Sequence, residues 1–159
     1  CLELMKLPIK YDTVFAFTVQ EEVGLRGAQV AANVVQPDIA LVIEGTTAGD
    51  LPDSEGVEIC TKIGDGVVIG LIDGPTIYSK DMFHYMINLA QKNNIPYQTK
   101  RILAGGTDAG VIHKSGRGVK TAGLSVPVRY LHSPVSMCSV EDIENTYRLA
   151  QLFLEEVSK

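Results

Sequence analysis

Apolar residues in this chain form short runs that alternate with polar segments containing Gly and Pro. Residues 11–19 are rich in aromatic and β-branched side chains, which predicts a buried strand. Residues 39–43 form a continuous apolar run that ends at Glu44, a pattern typical of a parallel strand covered on both faces. Strands are also predicted over residues 67–72 and 96–103, and residues 119–130 are predicted to be extended.

Helical spacing of apolar residues marks the segments between these strands. Residues 25–35 are predicted to form a helix that Pro37 stops, and Ser79 can cap a helix that runs to about Lys92. Met and aromatic side chains recur at helical spacing in this second segment. Such a stripe indicates core packing rather than a cofactor site.

Two further helix starts carry capping residues. Thr107 or Asp108 can cap a short helix that follows a Gly-rich turn. The segment Ser139-Val140-Glu141-Asp142 has the form of a capping box in which Asp replaces Glu. It opens a final helix that is predicted to run to about Val157.

Strands and helices therefore alternate almost throughout, which predicts a three-layer α/β/α fold with a mostly parallel sheet. Ligands bind such sheets beyond the carboxyl ends of the strands. Glu21, Glu22 and Glu44 lie at or just after predicted strand ends, and residues 105–108 and His132 also follow strands. We expect these positions to converge on one rim of the sheet.

Charge and composition narrow the classes of partner. The 159 residues carry a formal net charge of −5 and no block of Lys or Arg, which argues against nucleic acid or a membrane surface as the main partner. No apolar run approaches the length of a transmembrane span. Cys1, Cys60 and Cys138 are widely spaced without a CxxC motif, so we expect free thiols in a reducing compartment, the cytoplasm.

Adjacent carboxylates at Glu21 and Glu22 separate the first predicted strand from a helix punctuated by Gly. One carboxylate could hold a metal ion while the other takes a proton from water. The alternative is a solvated pair at a helix N-terminus, where negative charge is favoured. The spacing alone leaves both interpretations open.

His132 lies in an extended segment that leads into a turn. A neutral imidazole there can bind a metal, although a single His is commonly a satisfied surface or core residue. Glu22, Glu44 and His132 together form an oxygen and nitrogen set suited to zinc, cobalt or manganese. Glu21 then remains as a general base.

The other candidate features are less informative. Gly105 and Gly106 could bring backbone N–H groups to a substrate carbonyl, or could simply form a tight turn. Neither a phosphate-binding GxxxxGK[ST] motif nor a GxSxG nucleophile motif is present. His84 and His113 lack acidic neighbours in a comparable arrangement, and we interpret both as structural.

Four motifs occur in order along nearly the whole chain: Gln20-Glu21-Glu22-Val23-Gly24-Leu25-Arg26-Gly27-Ala28, Glu44-Gly45-Thr46-Thr47-Ala48-Gly49-Asp50, Gly105-Gly106-Thr107-Asp108-Ala109 and Pro127-Val128-Arg129-Tyr130-Leu131-His132-Ser133-Pro134. Together they resemble the M42 family of dinuclear metallo-aminopeptidases, whose members are also labelled glutamyl aminopeptidase or endoglucanase. The resemblance implies a phosphorylase/hydrolase-like catalytic domain of the dinuclear zinc exopeptidase type. It also implies peptide substrates and metal-assisted hydrolysis.

The resemblance implies a role for each matching residue. Glu21 would be the general base that activates a bridging water. Glu22 and His132 would bind one divalent ion, zinc or cobalt, and Glu44 would bind the second. The substrate cleft would be lined by Gly105, Gly106, Thr107 and Asp108.

Two further ligands are implied upstream of the Glu pair, a His and a bridging Asp. No His precedes Glu21, and the only Asp before it is Asp12, in a predicted strand. We therefore expect residues 1–159 to be the C-terminal portion of one catalytic domain, without its N-terminal part and an inserted dimerisation domain. We expect this chain alone to bind metal weakly, to hydrolyse little and to self-associate.

Two alternatives to a working peptidase follow from the sequence. The missing ligands favour a truncated, non-catalytic domain that only folds or assembles. The endoglucanase label suggests a glycosidase. Adjacent Glu21 and Glu22 do not by themselves place carboxyl groups on opposite sides of a sugar bond, which argues against that reading.

Overall fold

A computed structural model describes residues 1–56, 59–103 and 105–157 of the chain. A 3₁₀ turn at Leu4–Lys6 precedes the regular elements. The helices are α1 (Arg26–Val35), α2 (Lys80–Lys92), α3 (Ala109–Ile112) and α4 (Val140–Glu156). The strands are β1 (Ile39–Thr47), β2 (Val67–Ile69), β3 (Tyr97–Thr99) and β4 (Lys120–Val128).

The four strands form one mixed sheet in the order β1-β4-β2-β3. β1 pairs with β4 and β2 pairs with β3 in parallel, whereas β2 pairs with β4 antiparallel. The predicted α/β class is confirmed. The antiparallel pair lies at the centre of the sheet and joins its two parallel halves.

Helices cover both faces of this sheet. On one face α2 and α4 pack together against β2 and β4, and the core there includes Met86, Leu124, Leu149 and Phe153. α3 packs against α1 and also contacts β1 and β4. Every residue of β2 is buried, which requires cover on both sides of the strand. No helix in the described ranges is long and apolar enough to cross a membrane.

The predicted strand at residues 11–19 is wrong. Tyr11, Thr13 and Phe15 are partly buried and alternate with exposed residues, as in an extended segment with one covered side. In the described part of the chain no strand pairs with this segment, so it has no ladder of hydrogen bonds. Its last carbonyl, that of Val19, instead accepts a hydrogen bond from the amide of Gly27 in α1 at 3.0 Å.

The bounds of several strands also differ from the prediction. β1 does not end at Glu44 but continues to Thr47, because β4 pairs with it as far as Val128. β2 and β3 are only three residues long. After β2 the chain folds back on itself, with an isolated bridge between Ile72 and Ile77.

The start of α4 departs from a capping box. Ser139 is the N-cap as predicted, and its hydroxyl accepts the amide of Glu141 at 3.2 Å. Asp142 does not turn back to the cap. Its carboxylate instead accepts the amides of Gly64 at 2.7 Å and Gly66 at 2.9 Å, across the fold. Asp142 therefore connects α4 to the loop that leads into β2.

Candidate functional site

The turn that carries the Glu pair has an unusual backbone. Gln20 and Leu25 on either side of it adopt left-handed conformations, with φ of 59° and 57°. The carbonyl of Glu21 accepts the amides of Gly24 and Leu25, which closes the turn before α1. Residues other than Gly rarely adopt the left-handed backbone conformation, and those that do concentrate at functional sites.

Gly27 explains why this motif needs Gly inside a helix. A Cβ atom at this position would overlap the backbone of Val19. The missing side chain lets the extended segment lie directly on the first turn of α1. The position of Glu21 therefore depends on close backbone packing.

Glu22 and His132 are 110 residues apart in sequence and meet in the structure. His132 Nε2 lies 3.0 Å from Glu22 Oε1, and the two side chains are 68% and 71% exposed. His132 has a left-handed backbone with φ of 63°, as does Tyr130 with φ of 59°. Both halves of this contact therefore come from segments with strained backbones.

Glu44 lies within β1 and is partly buried. Burial, together with the charges of Glu21, Asp73 and Asp108, raises the pKa of its carboxyl to about 8, and Lys100 opposes the rise. Glu44 therefore faces a cluster of acidic side chains. At neutral pH and without a bound cation, the Glu44 carboxyl is protonated in most molecules.

Glu21 belongs to the same cluster. Burial raises the pKa of its carboxyl, as do the charges of Glu22 and Asp108, whereas His132 lowers it. A carboxylate with a raised pKa is a stronger proton acceptor than an ordinary one. The charges of Glu22 and His132 therefore shift the pKa of Glu21, and the charge of Glu21 in turn raises the pKa of Glu44.

Asp108 connects the Gly-rich turn to the segment before the Glu pair. Its Oδ2 atom accepts the hydroxyl of Thr18 at 2.5 Å. Its Oδ1 atom is buried and has no hydrogen-bond partner in the described residues. One oxygen of this carboxylate is therefore held in place while the other remains available inside the acidic cluster.

Thr107 joins a second network that sequence reasoning missed. The hydroxyl of Tyr78 donates to Asp73 Oδ2 at 3.0 Å and lies 3.1 Å from Thr107 Oγ1. Burial raises the pKa of Tyr78 well above its usual value, so the phenol stays protonated. Because its single proton goes to Asp73, Thr107 donates to the phenol oxygen.

Gly residues make room for the Tyr78 ring. A Cβ atom at Gly123 would lie 2.7 Å from the ring, and one at Gly70 would lie 3.1 Å from it. No pattern in the sequence links Tyr78 to the Gly-rich turn, because its partners come from separate strands and loops. Asp73 had a sequence signal only as part of an Asp-Gly-Pro turn.

The Gly105–Gly106 turn packs closely against the loop after β2. The carbonyl of Gly105 accepts the amide of Gly74 at 2.8 Å, and Gly105 is left-handed with φ of 70°. A Cβ atom at Gly106 would lie 2.9 Å from the ring of Pro75. Both Gly residues are thus required by the turn itself.

The other two histidines make local contacts. His113 Nδ1 lies 2.7 Å from the carbonyl oxygen of Ala109, one helical turn earlier. The ring of His84 packs edge-on against Phe83, with centroids 5.6 Å apart. These contacts agree with the structural interpretation of both residues.

The donors present satisfy part of a metal site. Glu22 and His132 offer adjacent oxygen and nitrogen atoms, the donor types that zinc and cobalt accept. Within the described ranges, no group of three or more His, Cys, Asp or Glu side chains is arranged to hold an ion. The arrangement therefore fits two ligands of one ion and falls short of the usual three.

The chain matches the family model for M42 glutamyl aminopeptidases over residues 1–149. It is 44% identical over 138 residues to a putative aminopeptidase of Acetivibrio thermocellus, and the match covers 87% of this chain and 41% of that protein. The family match extends over all four motifs.

Solved structures of aminopeptidases also superimpose on the chain. A TET aminopeptidase from a marine sediment archaeon, Thaumarchaeota archaeon SCGC AB-539-E09, superimposes with a TM-score of 0.84 at 41% identity, over 88% of this chain and 39% of that one. The TET1 peptidase of Pyrococcus horikoshii, which assembles into a tetrahedron or a large octahedral shell, gives a TM-score of 0.68 at 36% identity, over 88% and 40% of the two chains. The present chain thus spans about two fifths of the length of these relatives.

Proposed function

Because this chain belongs to the M42 glutamyl aminopeptidase family, we propose that it is part of a metal-dependent aminopeptidase that removes N-terminal residues from peptides. The meeting of Glu22 with His132 beside Glu21 carries this proposal. These residue types supply the metal donors and the proton acceptor that peptide hydrolysis needs. Glu22 and His132 are 110 residues apart in sequence, so their contact is produced by the tertiary fold and not by local structure.

Glu22 and His132 would hold one divalent ion, zinc or cobalt, and Glu44 would contribute to a second. When bound, such ions polarise the peptide carbonyl and lower the pKa of water. Glu44 would ionise on binding a cation, because the positive charge favours the carboxylate that its acidic neighbours disfavour. Metal uptake should then release a proton near neutral pH.

Glu21 would accept the proton of the attacking water and pass it to the leaving amine. Its raised pKa suits both steps, since the group must bind a proton and then release it. Neighbouring Asp108, one of whose buried oxygens has no partner among the described residues, would line the substrate cleft together with Thr107 and the Gly105–Gly106 turn. This part of the site would orient the peptide.

We also assign the protein to the cytoplasm. Cys1, Cys60 and Cys138 are all free, and two of them are exposed. Exposed thiols persist best in a reducing compartment. Peptides would be its substrates there.

A zinc titration of the whole chain by calorimetry tests this proposal, with leucine-anilide hydrolysis followed in the same samples. We expect weak binding at a single site and little hydrolysis, because the described residues offer only two adjacent donors. His132→Ala should remove the binding, whereas the matched control His84→Ala should retain it. A chelator should abolish whatever hydrolysis is present.

The outcomes of this titration separate the candidate functions. Two tight sites with turnover would contradict the expected weak binding and would show a working peptidase whose further ligands come from elsewhere. Binding that survives His132→Ala would overturn the proposed ligand. Complete absence of zinc binding would favour the second candidate, a non-catalytic domain. The described residues contain no group of three donors that could hold an ion, which is consistent with this candidate.

We further propose that the chain self-associates. Val30 and Val34 on α1 are 65% and 79% exposed, and Phe17 and Val19 of the adjacent segment are 61% and 67% exposed. Together they form an apolar surface of the kind that proteins usually cover. The assemblies formed by the TET1 relative agree with this tendency.

Light scattering over a range of concentrations checks the self-association. We expect an average mass that rises above the monomer with concentration, and a smaller rise for Val34→Glu because a charge resists burial in a contact. Val135→Glu is the matched control, since Val135 is similarly exposed, at 73%, but lies between β4 and α4, away from the proposed surface. A monomer at every concentration would contradict the proposal.

A further inference from the structure

Arg129 makes a forked ion pair with Asp50 at the end of β4. Its Nε atom donates to Asp50 Oδ1 at 2.9 Å, and its Nη2 atom donates to Oδ2 at 2.7 Å. Asp50 Oδ2 also accepts the amide of Ile63 at 3.0 Å. Two parallel bonds of this kind fix direction as well as distance, which a single Lys contact does not.

The backbone of Arg129 closes the loop that carries His132. Its amide donates to the carbonyl of Met137 at 2.8 Å, and the amide of Met137 donates back at 3.1 Å. Residues 130–136 therefore project from a base whose first residue is anchored to Asp50. The amide of Ala48 donates to the carbonyl of Val128 at 2.9 Å, so Asp50 and Arg129 both lie just beyond the ends of the paired strands β1 and β4.

The contact between His132 and Glu22 is too exposed to hold the loop by itself. Both side chains are about 70% exposed, and polar contacts between such exposed side chains contribute little to stability. The loop also contains two left-handed residues, Tyr130 and His132, which disfavour this conformation in a free chain. Its shape must therefore be maintained from its base and by internal bonds such as that from Ser133 to Val135.

We propose that Asp50 and Arg129 are a positioning pair that holds the 129–137 loop so that the His132 imidazole stays beside Glu22. Neither residue would contact an ion or a peptide. The effect on the loop follows from the contacts above, whereas the effect on metal affinity rests on the function proposed in the preceding section.

The first test uses the metal-free whole chain. A nuclear Overhauser contact between the His132 ring and the Glu22 side chain should be present in the native protein. It should be weakened or lost in Arg129→Lys, which keeps the charge but cannot form the fork. Exchange of the Ala48 amide should stay slow in this variant if the β1–β4 pairing is intact.

Two further variants serve as a control and as a second test of the pair. Arg117→Gln removes an exposed Arg at the other end of β4 and should leave the contact unchanged. Asp50→Asn leaves one acceptor oxygen, which can serve Ile63 and one arm of Arg129 but not both arms. It should therefore give an intermediate loss, and it serves if Arg129→Lys does not fold. A full contact in both Arg129→Lys and Asp50→Asn would overturn the proposal.

The second test measures zinc affinity of the same proteins by calorimetry. Loss of a residue that orients a ligand typically weakens metal binding by about 10- to 100-fold, and we expect a change in this range for Arg129→Lys. Unchanged affinity alongside a lost contact would refute the link to metal binding. If the native chain binds no zinc, the proposed metal site fails, while the Overhauser contact still decides whether the pair positions His132.

Discussion

The protein is expected to lose stability as the pH rises from 4.5 to about 8, and Glu44→Gln is expected to remove most of that loss. Burial, together with the charges of Glu21, Asp73 and Asp108, raises the pKa of Glu44 from 4.5 to about 8 in the folded state. Within this interval the unfolded chain ionises at Glu44 while the folded chain keeps the proton. Folding then requires proton uptake, so each increase in pH favours the unfolded state.

The expected size of the effect follows from linkage. A difference of one in pKa corresponds to about 1.4 kcal/mol, which gives an upper limit of about 5 kcal/mol for Glu44. Partial exposure and salt screening reduce this, and we expect about 2 to 3 kcal/mol. Below pH 4.5 both states are protonated at this position and its contribution is constant.

Urea unfolding at several pH values measures this effect. The free energy of unfolding of the native chain should decrease between pH 5 and pH 8, and that of Glu44→Gln should change much less, because an amide does not titrate. Glu144→Gln is the matched control on the exposed side of α4 and should follow the native chain. Parallel profiles for the native chain and Glu44→Gln would show that Glu44 ionises normally.

Asp142→Ala is expected to reduce the free energy of unfolding by about 2 to 4 kcal/mol. Asp142 is 1% exposed, and its two oxygens accept the amides of Gly64 and Gly66. Removing the carboxylate would leave the buried N–H of Gly66 without a partner, which costs about 1 to 3 kcal/mol, and the more exposed N–H of Gly64 would lose a bond to a charged acceptor. Gly66 also lies against Pro96 with a left-handed backbone, so the loop cannot readily turn its amide elsewhere.

The comparison of three variants tests this expectation. Asp142→Asn keeps one acceptor oxygen and should lose less stability than Asp142→Ala. Glu144→Ala removes an exposed acid two residues later in α4 and should change stability by less than about 0.5 kcal/mol. Thermal and urea unfolding give the values. Equal losses for Asp142→Ala and Glu144→Ala would mean that the two amides find other partners.

The sequence correctly predicted those helices and strands that depend on residues close together in the chain. α1, α2 and α4 begin and end within a residue or two of the predicted positions, because apolar spacing, Pro37 after α1 and the Ser139 cap of α4 act within one helical turn. Ser79 is the N-cap of α2, but its side chain makes no capping hydrogen bond. The Met and aromatic stripe of α2 was correctly assigned to the core, where Met86 is fully buried. β4 matched the predicted extended segment because it is long and apolar.

Features that depend on a distant partner were missed or wrong. Residues 11–19 have the composition of a strand, but a strand forms only where another strand offers hydrogen bonds. Asp142 has the spacing of a capping box, yet the amides of Gly64 and Gly66 bind it more fully than its own helix start could. Tyr78 gave no sequence signal, since Asp73 and Thr107 reach its hydroxyl from separate loops.

The sequence by itself determined the α/β class, the family and the residue types of the candidate site, because these are properties of composition, order and short motifs. The sequence also predicted that Glu22, Glu44 and His132 converge, but only the tertiary structure gave the 3.0 Å distance between His132 and Glu22, the acidic surroundings of Glu44 and the anchoring of the loop by Asp50 through Arg129. The physical reason is that side-chain contacts and pKa values depend on distances in space. Those distances are set by strand pairing and helix packing between residues far apart in the chain.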